Sequence, residues 1–526
     1  MPPLRYNATL TQAWVEPRLE ITREHAKRQL QPSKRSLKQQ YSTIAMRDCY
    51  LDIDGMMAWA QDYVKEAGQY LQVSLVDIGD SFLGDDISVL TVTGNHTNAT
   101  TAAPLIFMTS IHAREYAPPE VARRFLVYVL EQVKQGNTAV TSFLEHTQIH
   151  WIPYVNIDGR RMAETTQPWR RKNMNEAWQK DWEECTSDST GVDLNRNYPF
   201  AFGKSDGSSD TACSPFTRGP GPQSEPETQA VMNYASDVMF PLDNPLYTQQ
   251  RLDALPVQTG GTDPGEVPNT WGGFNETTTR GVFVDMHSYG EVYIFPWGHV
   301  NSVTPNQNAI QSAMGKLEHI TGYEALGPGT DFYGAASGAT DDALYALFGP
   351  LSFTMEIGNA FHEACDNFER NVPKLMQSLQ YAASIAPQPY VLGQGPDIVS
   401  VQVTPQVLEE NDSLNIVVVA SDSEKQAFGN VLVAQQFVTE IRVYMNDHPL
   451  VVGNENIEPI WSWDSSSLSL INGELDATLP WTSVVLARGA GNHTLYIQAT
   501  DSNGYNGPVT AVGVTVAGVS ITGVPQ

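Results

Sequence analysis

His112 and Glu115 stand three residues apart in IHAREY, just beyond the continuous apolar run APLIFMTSI. An imidazole and a carboxylate at that spacing past a strand end can both turn toward one metal ion, and zinc accepts both donor types. The chain has eleven histidines, so an HxxE can also arise by chance, and a surface ion-pair turn is the plainer alternative. His287 closes a second apolar stretch in VDMHSYG, where a third ligand is expected. Glu356 sits in SFTMEIG, inside a run that otherwise reads as a buried strand. An ionised carboxylate there is costly unless it is paired, metal-linked or catalytic. GVDLNRN sets the amide of Asn195 beside the guanidinium of Arg196, a pair suited to gripping a carboxylate. WRRKN adds Arg170 and Arg171.

These residues need rigid elements beneath them. From about residue 47, helix-period segments (MMAWAQDYVKEAGQYL, EVARRFLVYVLEQV) alternate with strand-like ones (ISVLTVTG, APLIFMTSI, IHWIPYVN, GVFVDMHSYG, PLSFTMEIG). That order predicts an α/β fold, a mixed β-sheet flanked by helices. After PQPYVLGQGP only alternating strand patterns remain, which predicts a C-terminal all-β sandwich of immunoglobulin-like size. The expected division is a basic N-terminal extension or pro-segment remnant (1–46), an α/β domain (47–391) and a β-sandwich (396–526). Residues 241–280 read as a Gly/Pro/Thr-rich surface insertion.

Composition narrows the classes. Acidic residues outnumber basic ones 59 to 31 over 526 positions, a net charge of -28, which argues against a nucleic-acid partner. No apolar run approaches the ~18–20 residues of a membrane span, so no membrane partner is expected. Residues 1–46 carry the opposite sign, with eight Lys+Arg against three Asp+Glu. The start lacks the apolar core of a signal peptide, yet six N-x-S/T sequons (Asn7, Asn95, Asn98, Asn275, Asn411, Asn492) favour a secreted chain whose leader is not shown.

The ordered set IHAREY, WRRKN, GVDLNRNYP, MHSYG, FYGAASGATDD and SFTMEIG resembles the zinc carboxypeptidases of the carboxypeptidase A/B family, over about residues 47–391. The resemblance implies one Zn2+ held by His112, Glu115 and His287, with Glu356 as general base and then acid. It implies that Asn195, Arg196 and Tyr333 hold a substrate's terminal carboxylate and that Arg171 polarises the scissile carbonyl, with Arg170 as the rival. The segment YGAASG carries one more residue between Tyr333 and Ser337 than the family pattern. Matching Ser337-Gly338 places Asp341 at the base of the specificity pocket, where a carboxylate favours a terminal Lys or Arg.

The implied activity is hydrolysis of the C-terminal bond of peptides and proteins. A metal-dependent deacylase, a peptidoglycan-stem peptidase and an inactive binding module are the alternatives. As in animal relatives, Cys185 and Cys213 are expected to be bridged; Cys49 and Cys365, which remain and flank the ends of the α/β domain, are expected to form a second bridge. Two segments are read as structural: His146 with His150, and Ser224 with Glu227, which looks like a capping box.

Overall fold

The structure, a computed structural model, describes residues 49–177, 185–186, 189–205, 207–239, 276–328, 335–409, 412–422, 437–454, 456–464, 474–480 and 489–517. Tyr333, residues 1–46 and most of the 241–280 insertion lie outside them.

Eight strands form one mixed sheet: β1 (Leu71–Asp80), β2 (Asp86–Gly94), β3 (Ala103–Thr109), β4 (Thr147–Ile152), β5 (Val282–His287), β6 (Val292–Ile294), β7 (Glu324–Leu326) and β8 (Leu351–Glu356), in the order β1-β2-β4-β3-β5-β8-β6-β7. The centre, β4-β3-β5-β8, is parallel. All seven residues of β3 and all six of β5 are buried, as expected for strands covered on both faces. Alternation divides them. Leu105, Phe107, Val284 and Met286 join one core, and Ile106, Met108 and Phe283 join the other.

Helices supply the two outer layers. The first core is covered by α1 (Ile53–Ala67), α2 (Ala117–Lys134), α5 (Gln307–Thr321) and α7 (Cys365–Ile385). The second is covered by α4 (Pro226–Met239) and α6 (Thr340–Phe348), while α3 (Ile157–Thr165) follows β4. Local signals fix their ends: Asp52 and Asn156 cap α1 and α3 by accepting from Gly55 N and Gly159 N, and α6 stops at Gly349 with φ 80°. The expected capping box does not form. Ser224 N donates to Gly221 O, and Glu227 instead accepts from Phe82 N and Asn173 Nδ2, where buried donors demanded an acceptor. Disulfides join Cys185 to Cys213, as the resemblance implied, and Cys49 to Cys365, the remaining pair.

Beyond α7 the chain turns to strands. The strands β9 (Asp397–Thr404), β10 (Val407–Leu408), β11 (Ser413–Ser421), β12 (Val438–Met445), β13 (Trp461–Asp464), β14 (Glu474–Pro480), β15 (Gly491–Asp501) and β16 (Thr510–Val516) form a five-stranded sheet (β10-β16-β15-β12-β13) and a three-stranded one (β14-β11-β9). Leu414, Ile416 and Val418 of the smaller sheet share a core with Ile441, Val443, Leu495 and Ile497 of the larger, so the two pack face to face. This layer docks on the α/β part through Tyr496 Oη, which donates to Glu145 Oε2 at 2.7 Å. Beside that bond, the His146 and His448 rings lie 4.6 Å apart, and Lys316 reaches back to Gly395 O and Asp397.

Candidate active site

Parallel strands with helical crossovers place their carboxyl ends on one edge, where open α/β sheets bind ligands. His112 and Glu115 follow β3, His287 ends β5, and Glu356 ends β8 as its register partner. Together they line a cavity of about 700 Å³ that also includes Arg171, Asn195, Arg196, Phe216 and Asp341.

His112, Glu115 and His287 form the one group among the described residues able to hold a metal ion. His112 Nδ1 lies 2.9 Å from Glu115 Oε1, His287 Nδ1 lies 3.1 Å from Glu115 Oε2, and the two Nδ1 atoms are 3.0 Å apart. Tetrahedral zinc with bonds of about 2.0–2.1 Å holds its ligands roughly 3.3 Å apart, so the donor set fits this ion with small relaxation. The far nitrogens are committed: His112 Nε2 contacts Asp193 Oδ1 at 3.1 Å, and His287 Nε2 contacts Asp285 Oδ2 at 2.8 Å. Such carboxylates fix the tautomer that leaves Nδ1 for a metal. Burial alone would raise the Glu115 pKa, but the His112 and His287 imidazoles hold it far below the usual carboxylate range.

Around this group the other residues separate by function. Arg171 donates from Nε and Nη2 to Asp193 Oδ2 (3.1 and 3.0 Å), with Nη1 3.3 Å from His112 Nδ1. Arg170 is fully buried and donates to the carbonyls of Lys172 and Asn173, so it braces a loop away from the cavity. Asn195 Oδ1 accepts from Thr340 N at 2.9 Å, which ties Asn195 to the start of α6. Arg196 is anchored through Nε to Gly207 O and through Nη1 to Asn195 O.

Glu356 is partly exposed as a residue, but its Oε2 is buried without a hydrogen-bond partner, and burial pushes its pKa up to about 8. Of the two acids opening α6, Asp342 accepts from Gly298 N, His299 N and His299 Nδ1, whereas Asp341 lines the cavity. Neither caps the helix, because the cap position, Ala339, makes no side-chain bond. Asp341 is 4% exposed, and burial followed by repulsion from Asp342 raises its pKa to about 7.

Asp193, Asp285, Arg114 and Phe216 were not singled out from sequence. Asp285 carries a signal: two residues before His287 on a strand, it lies on the same face. Asp193 stands likewise two before Asn195, but in a turn, where Asp is common for other reasons. Arg114 and Phe216 have no local mark.

Residues 56–250 match the family model described as zinc carboxypeptidase. Over that span the chain is similar to zinc carboxypeptidases. Carboxypeptidase B of Bos taurus is similar at 26% identity over 317 residues, 59% of this chain and 63% of that protein. A metallocarboxypeptidase A-like protein of Trichophyton verrucosum is similar at 24% over 315 residues, 59% of this chain and 62% of that one. The matches thus span less than two thirds of these relatives' own length. Two solved structures share the fold, each at TM-score 0.50. Thrombin activatable fibrinolysis inhibitor has 20% identity, covering 67% of this chain and 83% of that one. Carboxypeptidase A from Helicoverpa armigera has 17%, covering 70% and 81%. Zinc carboxypeptidases use one catalytic zinc, and His112, Glu115 and His287 are this domain's group with the chemistry to hold it.

Proposed function

We propose that the chain is an exopeptidase that hydrolyses the C-terminal peptide bond of peptides and proteins and prefers a terminal Lys or Arg. One observation carries the reading: a His/Glu/His metal group, an unpartnered carboxylate oxygen, two guanidiniums and a buried acid converge on one cavity. Zinc in such a site supplies Lewis acidity, drawing charge from a carbonyl oxygen and acidifying water toward a pKa of ~7.

The protein's own groups have separable tasks. Arg196, with Asn195 and Tyr333, grips the terminal carboxylate, a group internal peptide bonds lack, so cutting is confined to chain ends. Arg171, held rigid by Asp193, faces the scissile carbonyl and steadies the negative charge that develops on its oxygen. Glu356 takes a proton from the attacking water and passes it to the leaving amine. A carboxylate whose pKa burial lifts toward neutrality suits both transfers. Asp341 waits deep in the cavity for the side-chain cation of the terminal residue. Residues 47–391 serve as the catalytic unit and 396–526 as an accessory sandwich, with 1–46 an extension. Two disulfides and exposed sequons at Asn95, Asn98 and Asn492 support a secreted, glycosylated protein.

The test is release of single terminal residues from synthetic peptides, followed by mass spectrometry. Activity lost to a chelator and restored by zinc supports the proposal. Cleavage of N-acyl amino acids in preference to peptides, or binding without turnover in zinc-loaded protein, would replace it.

A further inference from the structure

Phe216 is 41% exposed and lines the cavity, yet it does not belong to the metal group or to either carboxylate. Its ring meets both guanidiniums: Arg196 Cζ lies 5.3 Å from its centroid and Arg171 Cζ 5.7 Å. Both distances fall within the ~6 Å reach of a cation–π contact. The backbone that carries the ring is held firmly. Phe216 N donates to Ser214 Oγ, Phe216 O accepts from Ser209 N, and Thr217 Oγ1 donates back to Ser214 O. Lys172 Nζ donates to the carbonyls of Ala212 and Ser214 at 2.8 Å each, and Cys213 is bridged to Cys185. A ring fixed this way loses little freedom on binding, which makes it a preorganised contact.

We propose that Phe216 is a specificity-determining residue, an aromatic shelf that receives the side chain of the residue just before the scissile bond and favours aromatic or large aliphatic groups there. The inference rests on the carboxypeptidase reading. In that reading Arg196 holds the terminal carboxylate and Arg171 faces the scissile carbonyl, points about one residue apart, or ~3.8 Å between Cα atoms. A ring contacting both arginines therefore flanks the scissile bond. The terminal side chain is directed toward Asp341, so the penultimate one is left to meet the exposed face of Phe216. Ring-on-ring contact rewards Phe or Tyr there, Leu less, and Gly not at all.

Peptides ending Phe-Arg and Gly-Arg, otherwise matched, test this on the full zinc-loaded chain. The ratio of their kcat/KM values is compared in wild type, Phe216→Ala and Phe216→Trp. Phe216→Ala should lower the Phe/Gly ratio about tenfold, and Phe216→Trp should restore it. An unchanged ratio overturns the proposal. So does an equal fall for both peptides, which would mean that the ring only braces the arginines. Dissociation constants for the same two peptides, measured by calorimetry in Glu356→Gln with and without Phe216→Ala, give the ratio without turnover. If wild type cleaves neither peptide, the carboxypeptidase reading falls, while the binding ratio still decides the shelf.

Discussion

Asp341 offers a quantitative test of the proposed basic preference. Its carboxyl lines the cavity and titrates near pH 7, because burial and the neighbouring Asp342 disfavour its charge. A group with that pKa is ionised in about one molecule in ten at pH 6 and about nine in ten at pH 8. Only the ionised form attracts a terminal guanidinium, so kcat/KM for an Arg-ended peptide should rise about tenfold over that interval. The assay is the ratio of kcat/KM on matched Arg-ended and Phe-ended peptides, taken at each pH on one enzyme. Every titration both substrates share, that of Glu356 included, cancels in this ratio. Asp341→Asn keeps the shape and removes the charge. Losing one partner of a buried charge pair costs about 2–5 kcal/mol, so the Arg preference should fall at least about 30-fold and become flat with pH. A wild type that prefers Phe, or a ratio indifferent to both pH and the substitution, would refute the reasoning.

Other consequences are as direct. Glu356→Gln should keep its zinc and lose about 10²–10⁴-fold in kcat, since the amide accepts no proton; a fall of only a few-fold would reject Glu356 as the base. Zinc titrated into metal-free protein at pH 7 should release protons, and Glu356→Gln should release about 0.9 fewer, because a carboxyl with a pKa of about 8 is mostly protonated there. Equal release from both proteins would contradict that. At the docking face, His448 Nδ1 accepts from Leu450 N, and burial lowers its pKa to about 3, with His146 depressed beside it. Both are held neutral, so their contribution is intact above the ordinary pKa of ~6.5 and is lost as pH falls below it. The loss is about 1.4 kcal/mol per pH unit per histidine, partly offset by Glu145, whose pKa burial raises. Other buried groups titrate in the same window, so the test is a difference: between pH 6.5 and 5 wild type should lose stability relative to His448→Phe by about 1.4 kcal/mol per pH unit; equal slopes would free His448 from the role.

The parts of the fold legible in the sequence are those where burial leaves a pattern. APLIFMTSI reads as a strand covered on both faces because it is one, and SLNIVVVAS alternates because every second residue enters the sandwich core. A charged residue at the end of such a run is conspicuous, which brought His287 and Glu356 to notice. Local pattern fails where tertiary demand decides. Glu227 matches a capping box by spacing, but Phe82 N and Asn173 Nδ2 claim it. Arg170 and Arg171 are indistinguishable as letters. What separates them is a loop of backbone carbonyls that satisfies one and a carboxylate, Asp193, that turns the other toward the cavity. Phe216 is brought to the arginines by a disulfide-closed loop, a contact no sequence period encodes.

Charge balance explains why these pieces occur together. Six carboxyls face or adjoin the cavity (Glu115, Asp193, Asp285, Glu291, Asp341, Glu356), against three guanidiniums, Arg114, Arg171 and Arg196. Crowded acids in a desolvated site resist full ionisation, and the two that titrate high are the desolvated ones without an Arg or His bonded to them: Glu356 near 8 and Asp341 near 7. A dication at His112, Glu115 and His287 would offset part of that excess. Under the proposed preference, a substrate ending in Lys or Arg adds one cation, beside Asp341, and one carboxylate, beside Arg196, and leaves the sum unchanged. A substrate ending in Phe brings the carboxylate alone and leaves Asp341 uncompensated, so it is accepted only at the cost of keeping that acid protonated. In the proposed reading, the excess of acid that favours a metal at His112, Glu115 and His287 also favours a terminal cation beside Asp341.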